Sequence, residues 1–307
     1  MSAAFEKVAI LGLGLIGSSI SHAIRKYGGA KTISGHAKSV ETLRIAREIG
    51  LADSFHDNPA DAVKGADLVI LCAPVGACGA LAAAISSAIR PGAIVTDVGS
   101  VKGAIIKDVG PHVPQHAHFI PGHPIAGTEQ SGPRSGFAEL FENRWCILTP
   151  LSGNPVEKIA ALEEFWTGFG SKVERMEPGH HDLVLAMTSH LPHLIAYTSV
   201  VAAADLEEVT QSEIIKFSAG GFRDLTRIAA SDPTMWRDVF LNNREAVLEL
   251  LGRFSEELSV LQKAIRWGDG ETLFNLFSRA REVRRGIIAA GQDTAAPNFG
   301  RDPTHKA

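Results

Sequence analysis

The segment KVAILGLGLIGSSISHAIRKY, residues 7–27, decides the fold. It opens with an apolar run at residues 7–11, continues through Gly12, Gly14 and Gly17, and ends in a helical pattern from about residue 15. A G-x-G-x-x-G pattern between a strand and a helix is the context that a dinucleotide-binding turn requires. The first glycine makes the tight turn, the second admits a pyrophosphate, and the third allows contact between helix and strand. A glycine turn that holds no ligand is the alternative.

Short apolar runs alternate with helical segments from residue 7 to about residue 150. Near-continuous runs such as DLVILCA, residues 67–73, are typical of parallel strands that are buried on both faces. The alternation predicts an α/β fold, a doubly wound Rossmann-type dinucleotide-binding domain. Further strands are expected at residues 32–34, 93–98 and 172–176, with a strand pair near 118–120 and 145–149. Helices are expected at residues 40–49 (with Ser39 as cap), 76–89 and 156–168.

Strand signals stop at Pro178, and the chain from there to about residue 290 has helical spacing, with loops near residues 220–221 and 268–270. Apolar residues recur there every three or four positions: Val239, Val247, Leu250, Leu251, Phe254, Leu258, Leu261 and Ile265. A face of that length needs more protein to cover it. We therefore expect a dinucleotide-binding domain at residues 1–177, an all-helical dimerisation and substrate domain at 178–292, and a loose tail at 293–307.

Length and composition exclude several classes of protein. The chain has 307 residues, which favours two domains, and its formal net charge of −4 argues against a generally basic nucleic-acid binder. The first residues carry charge at Glu6 and Lys7 and lack the pattern of a signal peptide. No uninterrupted apolar run approaches the length of a membrane span. With three cysteines that form no CxxC pair, these features predict a cytoplasmic protein without membrane or nucleic-acid partners.

The predicted cofactor-binding residues form two groups. The first surrounds the glycine turn and the end of a later buried strand: Gly12, Leu13, Gly14, Leu15, Ile16, Gly17, Ala73 and Pro74. The second lies at the end of the second strand: Ser34, His36, Lys38 and Ser39. An NAD-specific site places a carboxylate there for the ribose 2′-hydroxyl, and this segment has none. The sequence therefore favours NADP, with NAD as the alternative. A solvated loop that makes no contact with the ribose 2′ position would explain the same residues.

His123 lies between a glycine and a proline in the segment GHPIAGTEQSG, residues 122–132. The segment follows a predicted strand, so we expect the imidazole at the carboxyl edge of the sheet, where doubly wound folds bind ligands. The loop GSVK, residues 99–102, ends at the same edge, and the Ser100 hydroxyl could orient the imidazole. A structural histidine at a turn is the alternative. The histidines show no HExxH pattern, so no catalytic metal is predicted.

Arg223 and Arg227 belong to the segment GGFRDLTR, residues 220–227. A spacing of four places both guanidinium groups on one helical face, where each could bind a carboxylate through two hydrogen bonds. Alternatively, the two arginines and Asp224 form a solvated helix face that binds no substrate. The residues alone leave this choice open.

Five segments in this order resemble the prephenate/arogenate (cyclohexadienyl) dehydrogenase family of tyrosine biosynthesis: GLGLIG, DVGSVK, GHPIAGTEQSG, SHLPH and GGFRDLTRIAASDPTMW. The last four are far more specific than the first. The resemblance implies a nicotinamide-binding domain followed by a helical domain that forms a homodimer. It also implies an oxidative decarboxylation in which hydride passes to NAD(P)+, a base takes the hydroxyl proton, and loss of CO2 aromatises the ring. Prephenate would give 4-hydroxyphenylpyruvate, and arogenate would give tyrosine.

The resemblance also implies roles for single residues. His123 matches the general base, Ser100 the serine that positions it, and Arg227 the arginine that holds the ring carboxylate. Glu129 and Asp224 match acidic groups at the pocket entrance, the latter contributed by the partner subunit. The other matched pocket positions are Arg223, His190, His193 and Trp236. Tyrosine, as the pathway product, is expected to inhibit through the same arginine.

Two other functions are compatible with parts of the sequence. A β-hydroxyacid dehydrogenase also joins a dinucleotide-binding domain to helices, but it needs a lysine base near the substrate loop, and none is convincing. A non-catalytic dinucleotide-sensing protein would explain GLGLIG but not the set His123, Ser100 and Arg227. The choice between prephenate and arogenate stays open, although a neutral Asn143 near the pocket would leave the arogenate amine without a counter-ion.

Overall fold

A parallel six-stranded sheet forms the centre of the molecule. Residues 4–210 and 216–289 are described by the computed structural model of the chain, with the backbone alone for residues 207–210. The strands of the sheet are β1 (Phe5–Leu11), β2 (Ala30–His36), β3 (Ser54–His56), β4 (Leu68–Leu71), β5 (Ile94–Asp97) and β6 (His118–Phe119). Their order is β3-β2-β1-β4-β5-β6, so the winding reverses beside β1, the switch point at which such folds bind dinucleotides. This confirms the predicted fold class.

Helices cover both faces of this sheet: α1 (Leu15–Tyr27), α2 (Val40–Glu48), α3 (Pro59–Val63), α4 (Val75–Ile85) and α5 (Lys102–Val109). The predicted bounds of α1 are confirmed, and Ser39 caps α2 by accepting a hydrogen bond from the Thr42 amide. Alternate residues of β1 explain why its sequence is apolar throughout. Val8 and Ile10 belong to one buried cluster, and Ala9 and Leu11 belong to the cluster on the opposite face.

A second, three-stranded sheet follows the first: β7 (Gly122–Pro124), β8 (Trp145–Leu148) and β9 (Lys172–Arg175), with helix α6 (Val156–Gly168) before β9. The predicted pairing of residues 118–120 with 145–149 is wrong. Residues 118–119 form β6 of the parallel sheet, and β8 instead pairs with β7 in antiparallel fashion and with β9 in parallel. The short GHP segment is therefore a buried strand in its own right, which places His123 on a rigid element.

The chain after residue 177 is helical in its described part, as predicted. The helices are α7 (Pro178–Leu185), α8 (Leu191–Thr210), α9 (Gly220–Thr226), α10 (Pro233–Asn242), α11 (Arg244–Trp267) and α12 (Gly270–Ala289). A π-helical turn, Ala186–His190, joins α7 to α8. The loop predicted near residues 220–221 lies directly before them, at residues 217–219, and the two glycines begin α9. The predicted tail at residues 293–307 lies outside the described residues.

Internal contacts divide the chain into two compact units, Met1–Leu248 and Glu249–Ala307. The first unit extends beyond the predicted boundary at residue 178, because α7 packs on α5 and α10 packs on α4. The predicted apolar stripe is split accordingly. Val239 and Val247 are buried, whereas Leu258 and Ile265, in the second unit, are exposed. The boundary between dinucleotide-binding and helical domains stays a prediction.

The helical stretch Pro178–Leu206 is long enough and apolar enough, by length and composition, to cross a membrane. The sequence expectation differed because it considered only uninterrupted apolar runs. The stretch contains His181, Asp182 and His190, which are buried and hydrogen-bonded within the first unit. These contacts show that the N-terminal part of the stretch packs inside that unit.

Candidate active site

The glycine turn between β1 and α1 has the geometry of a pyrophosphate cradle. Gly12 has a φ of +113°, and a Cβ there would lie 2.4 Å from the Cys72 carbonyl oxygen. A Cβ at Gly17 would lie 1.9 Å from the Gly12 carbonyl oxygen, so neither position accepts a side chain. At Gly14, by contrast, the space within 4 Å is open. The first turn of α1 has no acidic residue and no side-chain cap, so its backbone N–H groups are available to an anion.

The end of β2 offers fewer groups to a cofactor than the sequence predicted. Ser34 is fully buried, and its hydroxyl donates to the Ala62 carbonyl, so its role at the cofactor stays a prediction. His36 donates from Nδ1 to the His56 carbonyl at 2.9 Å, which leaves Nε2 of the neutral ring as an acceptor. The Ser39 hydroxyl is engaged as the cap of α2. Lys38 is exposed and is the remaining cation of this group.

His123 is buried in β7, directly beside the carboxyl end of the parallel sheet. The amide of its neighbour Gly122 donates to the carboxylate of Asp97, the last residue of β5, at 3.2 Å. The Nδ1 atom of His123 lies 2.9 Å from Nε2 of His181 on α7. Its Nε2 atom forms no hydrogen bond with the described part of the chain, and the side chain is 8% exposed. The imidazole thus presents one nitrogen to the fold and the other to a potential substrate.

Asp182 holds His181 in place. Its Oδ1 atom lies 2.8 Å from Nδ1 of His181 and accepts from the Lys102 amide at 2.7 Å. Its Oδ2 atom accepts from the Gly103 amide at 2.8 Å. These amides belong to the first turn of α5, where the helix dipole favours a negative charge. The carboxylate is therefore fixed against one helix while it orients an imidazole on another.

Lys102 and Asp97 form a fully buried ion pair beneath the site. The Lys102 ammonium also donates to the Gly122 carbonyl, one residue before His123. Such a pair is costly to break, because either charge alone would be buried without a partner. Both its acceptors are fixed, so Lys102 supports the backbone of β7 and is not a free lysine base.

The predicted contact between Ser100 and His123 is not among the hydrogen bonds of the described residues. Ser100 lies in the loop between β5 and α5 and is half-buried. The group that bonds to the imidazole is His181, which the sequence analysis did not select. The role of Ser100 stays a prediction.

Burial shifts the acid–base behaviour of this cluster. It lowers the pKa of His123 well below the ordinary histidine value, and the neighbouring His181, Lys102 and His190 lower it further. Burial also lowers the pKa of His181, against the opposing effect of its hydrogen bond to Asp182. The pKa of His190 falls to about 4, again through burial. These imidazoles are accordingly neutral near pH 7, which is the state a proton acceptor needs.

A second group of predicted residues gathers around the Trp236 indole. The His193 ring stacks on it with centroids 3.6 Å apart, and the His190 ring meets it edge-on at 6.0 Å. The Asn243 amide donates to Nδ1 of His190 at 3.1 Å and to the Asp182 carbonyl at 2.8 Å. Nε2 of His190 and Nε1 of Trp236 are buried without a partner in the described chain. His190 ends the π-helical turn, a local distortion common at functional sites.

The predicted arginines lie at the exposed side of this group. Arg227 is paired with Glu129 at 3.2 Å, and Arg223 with Asp224 at 3.3 Å. The positive charge of Arg227 also contributes to the lowered pKa of His193, so the two side chains are electrostatic neighbours. The structure therefore brings Arg227, Glu129 and His193 together, as the resemblance implied. Whether these arginines bind a substrate carboxylate stays a prediction.

Besides His181, sequence reasoning missed four buried polar residues around the site: Asp97, Lys102, Asp182 and Asn243. Asp97 and Lys102 stood inside the quoted segment DVGSVK, but nothing in the sequence showed that they pair beneath β7. Asp182 follows the adjacent histidines His180 and His181, and a carboxylate beside histidines was a usable signal. Among the described residues, no group of histidine, cysteine and carboxylate side chains is arranged to hold a metal ion.

A dinucleotide-binding sheet with a buried, neutral histidine at its carboxyl edge defines a dinucleotide-dependent oxidoreductase. Comparison with known proteins agrees. Residues 20–175 match the family model described as prephenate dehydrogenase, nucleotide-binding domain, and residues 177–279 match prephenate dehydrogenase, dimerization domain. The chain therefore belongs to the prephenate dehydrogenase family.

Individual relatives support the same membership. A cyclohexadienyl dehydrogenase from Zymomonas mobilis is 43% identical over 280 residues, covering 91% of this chain and 95% of the relative. A prephenate dehydrogenase from Bacillus subtilis is 34% identical over 295 residues, covering 96% of this chain and 79% of the relative. The crystal structure of prephenate dehydrogenase from Aquifex aeolicus, in complex with hydroxyphenyl propionate and NAD+, has a TM-score of 0.86. It is 33% identical and covers 94% of this chain and 100% of that one.

Proposed function

We propose that the chain catalyses the oxidative decarboxylation of prephenate or arogenate, with transfer of hydride to NAD(P)+. The observation that carries the proposal is His123, whose Nε2 atom has no hydrogen-bond partner in the described chain and which lies at the carboxyl edge of a dinucleotide-binding sheet. The cradle at Gly12, Gly14 and Gly17 has the space and the free N–H groups that a pyrophosphate requires. When bound there, the nicotinamide supplies the acceptor for hydride.

His123 accepts the proton of the ring hydroxyl in this reaction. A neutral imidazole with a free Nε2 lone pair is suited to that step, and the fold keeps the ring neutral by burying it. The hydroxyl becomes a carbonyl as hydride leaves its carbon, and the ring then loses CO2 and becomes aromatic. Loss of CO2 leaves its electron pair in the ring and on the former carbonyl oxygen, and the proton held on Nε2 returns to that oxygen to give the phenol, so no net proton is released.

Arg227 binds the ring carboxylate of the substrate. In the structure the Arg227 guanidinium is about half exposed and is paired with the Glu129 carboxylate. The substrate carboxylate would take the place of Glu129 in this ion pair. Arg223, which pairs with Asp224, carries a second positive charge on the preceding turn of chain. The unpaired donors of His190 and Trp236 are further groups that a polar substrate could satisfy.

The cofactor preference we propose is NADP, with NAD also accepted. No carboxylate follows β2, and Lys38 is exposed where a 2′-phosphate would lie. Ser34 is buried and donates to the Ala62 carbonyl, so the preference depends mainly on this lysine, while the Ser39 hydroxyl, which accepts from the Thr42 amide, keeps its O–H for a phosphate oxygen. A single exposed charge-assisted hydrogen bond is worth about 1 kcal/mol, or about fivefold in binding.

Three further features of the proposal concern assembly, location and inhibition. The exposed apolar side chains of α11 and α12 would be covered in a homodimer. We place the enzyme in the cytoplasm, where separate buried thiols such as Cys78 and Cys146 stay reduced. Tyrosine would compete with the substrate by offering its carboxylate to Arg227, and inhibition kinetics against prephenate would test this.

Formation of reduced nicotinamide with three candidate substrates, prephenate, arogenate and 3-hydroxyisobutyrate, tests the proposed reaction. Turnover of prephenate or arogenate is expected, and the ratio of their kcat/KM values fixes the substrate. Turnover of 3-hydroxyisobutyrate alone would assign a β-hydroxyacid dehydrogenase and overturn the proposal. That outcome is not expected, because the Lys102 ammonium is held by Asp97 and Gly122.

A further inference from the structure

We propose that Asp182 and His181 form a positioning relay that fixes the proton of His123 on Nδ1 and so keeps Nε2 available as the base. The inference rests on the proposed function, in which His123 accepts the hydroxyl proton. It adds a role for two residues, His181 and Asp182, that neither the sequence pattern nor the resemblance selected.

The three side chains form a continuous line of hydrogen bonds. Asp182 Oδ1 lies 2.8 Å from His181 Nδ1, and His181 Nε2 lies 2.9 Å from His123 Nδ1. His181 is fully buried, so water does not replace either contact. The rings of the two histidines meet at an interplanar angle of 62°, with centroids 5.1 Å apart. Each imidazole nitrogen in the line, apart from His123 Nε2, therefore has one fixed partner.

The direction of every hydrogen bond follows from the carboxylate. Asp182 accepts from the Lys102 and Gly103 amides, which can only donate, and an ionised carboxylate only accepts. His181 must therefore carry its proton on Nδ1, which leaves its Nε2 as an acceptor. His123 must then donate from Nδ1, and its Nε2 keeps a free lone pair. The relay thus selects one of the two neutral tautomers of the base.

The relay also opposes the environment that makes His123 a weak base. The charged and titratable groups around His123 are His181 on α7, His190 in the π-helical turn and Lys102 on α5, with Asp97 of β5 behind Lys102 and Asp182 behind His181. Burial, and after it His181, Lys102 and His190, disfavour the imidazolium that forms when the proton is taken up. The Asp182 carboxylate, reached through His181, favours it. Proton uptake at Nε2 requires no second proton transfer along the line.

The fold holds Asp182 rigidly enough for this role. Two backbone amides of α5 fix its carboxylate, and the Asn243 side chain donates to its carbonyl oxygen at 2.8 Å. A Cβ at Gly103 would lie 2.9 Å from Oδ2, so α5 leaves just enough room for the carboxylate. A group with this many fixed contacts can orient a neighbour without reorganising during the reaction.

Three variants of the α7 histidines test the relay by activity. His181→Phe keeps a ring but removes both nitrogens, and kcat should fall by about 10²-fold while KM changes less than about threefold. His181→Gln restores an acceptor for His123 Nδ1, and its kcat should be at least about tenfold higher than that of His181→Phe. His180→Phe, at the exposed neighbouring position, is the matched control and should retain wild-type kcat. Equal kcat in wild type and His181→Phe would overturn the relay, as would His181→Gln with no more activity than His181→Phe.

A second measurement reads the tautomer without relying on activity. The ring nitrogen shifts of ¹⁵N-histidine-labelled protein, with His123 assigned by its loss in His123→Asn, should show a proton on Nδ1 and none on Nε2. A proton on Nε2 in the wild-type protein would overturn the relay whatever the kinetics. In Asp182→Asn the acidic limb of kcat/KM should move to lower pH, because His123 loses the charge that favours its protonated form; an unmoved or raised limb would contradict it. Full turnover in His123→Asn would instead refute the proposed base and leave the measured tautomer standing.

Discussion

The Nδ1 atom of His123 lies 2.9 Å from the Nε2 atom of His181, and both rings are buried. One residue from His123, the Gly122 carbonyl accepts from the Lys102 ammonium, whose charge is balanced by Asp97. The base is thus held through its side chain by α7 and through its backbone by α5. Its free nitrogen keeps a fixed direction because neither contact depends on a flexible loop.

The pH profile should reflect the buried position of His123. The pKa of His123 is lowered, mainly by burial, so the ring stays neutral at pH values where an exposed histidine, with a pKa of about 6.5, is already protonated. The base must be neutral to act, and activity should therefore persist as the pH falls through about 6.5. The acidic limb of kcat/KM against pH, with stability checked at each pH, measures this. An acidic limb above about pH 7 would contradict it.

Removal of the Arg227 guanidinium should weaken substrate binding. A charge-assisted hydrogen bond is worth about 1.5–3 kcal/mol, so Arg227→Ala should raise KM at least about tenfold. Arg237→Ala is the matched control, because Arg237 is also an exposed arginine paired with a carboxylate, that of Asp238. Steady-state kinetics with the preferred substrate measure both variants. An unchanged KM in Arg227→Ala would show that Arg227 is a solvated surface residue that does not bind the substrate.

The cofactor preference should depend on Lys38. The ratio of kcat/KM for NADP+ over NAD+ should be about fivefold in the wild type and should fall to about one in Lys38→Ala, since one charged contact is lost. Lys31→Ala, an exposed lysine at the beginning of β2 paired with Glu6, is the control and should keep the wild-type ratio. His36→Asp should reverse the preference through charge repulsion. A tenfold preference of the wild type for NAD+ would contradict the proposal.

The exposed apolar side chains of the second unit should be buried in a dimer. Ile265 is 67% and Phe274 71% exposed, which is unusual for large apolar residues on a free surface. The double variant Ile265→Glu, Phe274→Glu should sediment as a monomer at micromolar concentration, whereas the wild type should sediment as a dimer. Val156→Glu changes an equally exposed residue, on α6, and should leave the dimer intact. A monomeric wild-type protein with full activity would contradict the expected assembly.

Local patterns were sufficient to predict the central fold. The bounds of α1 followed from the glycine turn before it, and the parallel strands followed from apolar runs that fill clusters on both faces. The pairing of residues 118–120 with 145–149 was predicted wrongly, because periodicity gives no information on which strands become neighbours. The loop expected near Gly220 and Gly221 lies at residues 217–219, and the glycines themselves begin α9, since a helix packed on other helices tolerates residues of low helix propensity.

The candidate site was predictable only where residue type and local setting agreed. The constrained GHP segment singled out His123, and the structure places it at the expected edge of the sheet. His181 and Asp182 reach it from a helix 58 residues further along the chain, a distance that spacing cannot bridge. The cofactor contacts expected of Ser34 and His36 stay predictions. Their side chains are satisfied by backbone carbonyls within the sheet, and a one-dimensional pattern does not show this.

The stoichiometry of the reaction with prephenate tests the central claim most directly. Reduced nicotinamide, CO2 and 4-hydroxyphenylpyruvate should form in equal amounts with the wild-type enzyme. His123→Asn should lower kcat by about 10²–10⁴-fold with KM largely kept, because general-base catalysis contributes that factor. Reduction of the cofactor without release of CO2, or no reduction with either prephenate or arogenate, would contradict the assignment.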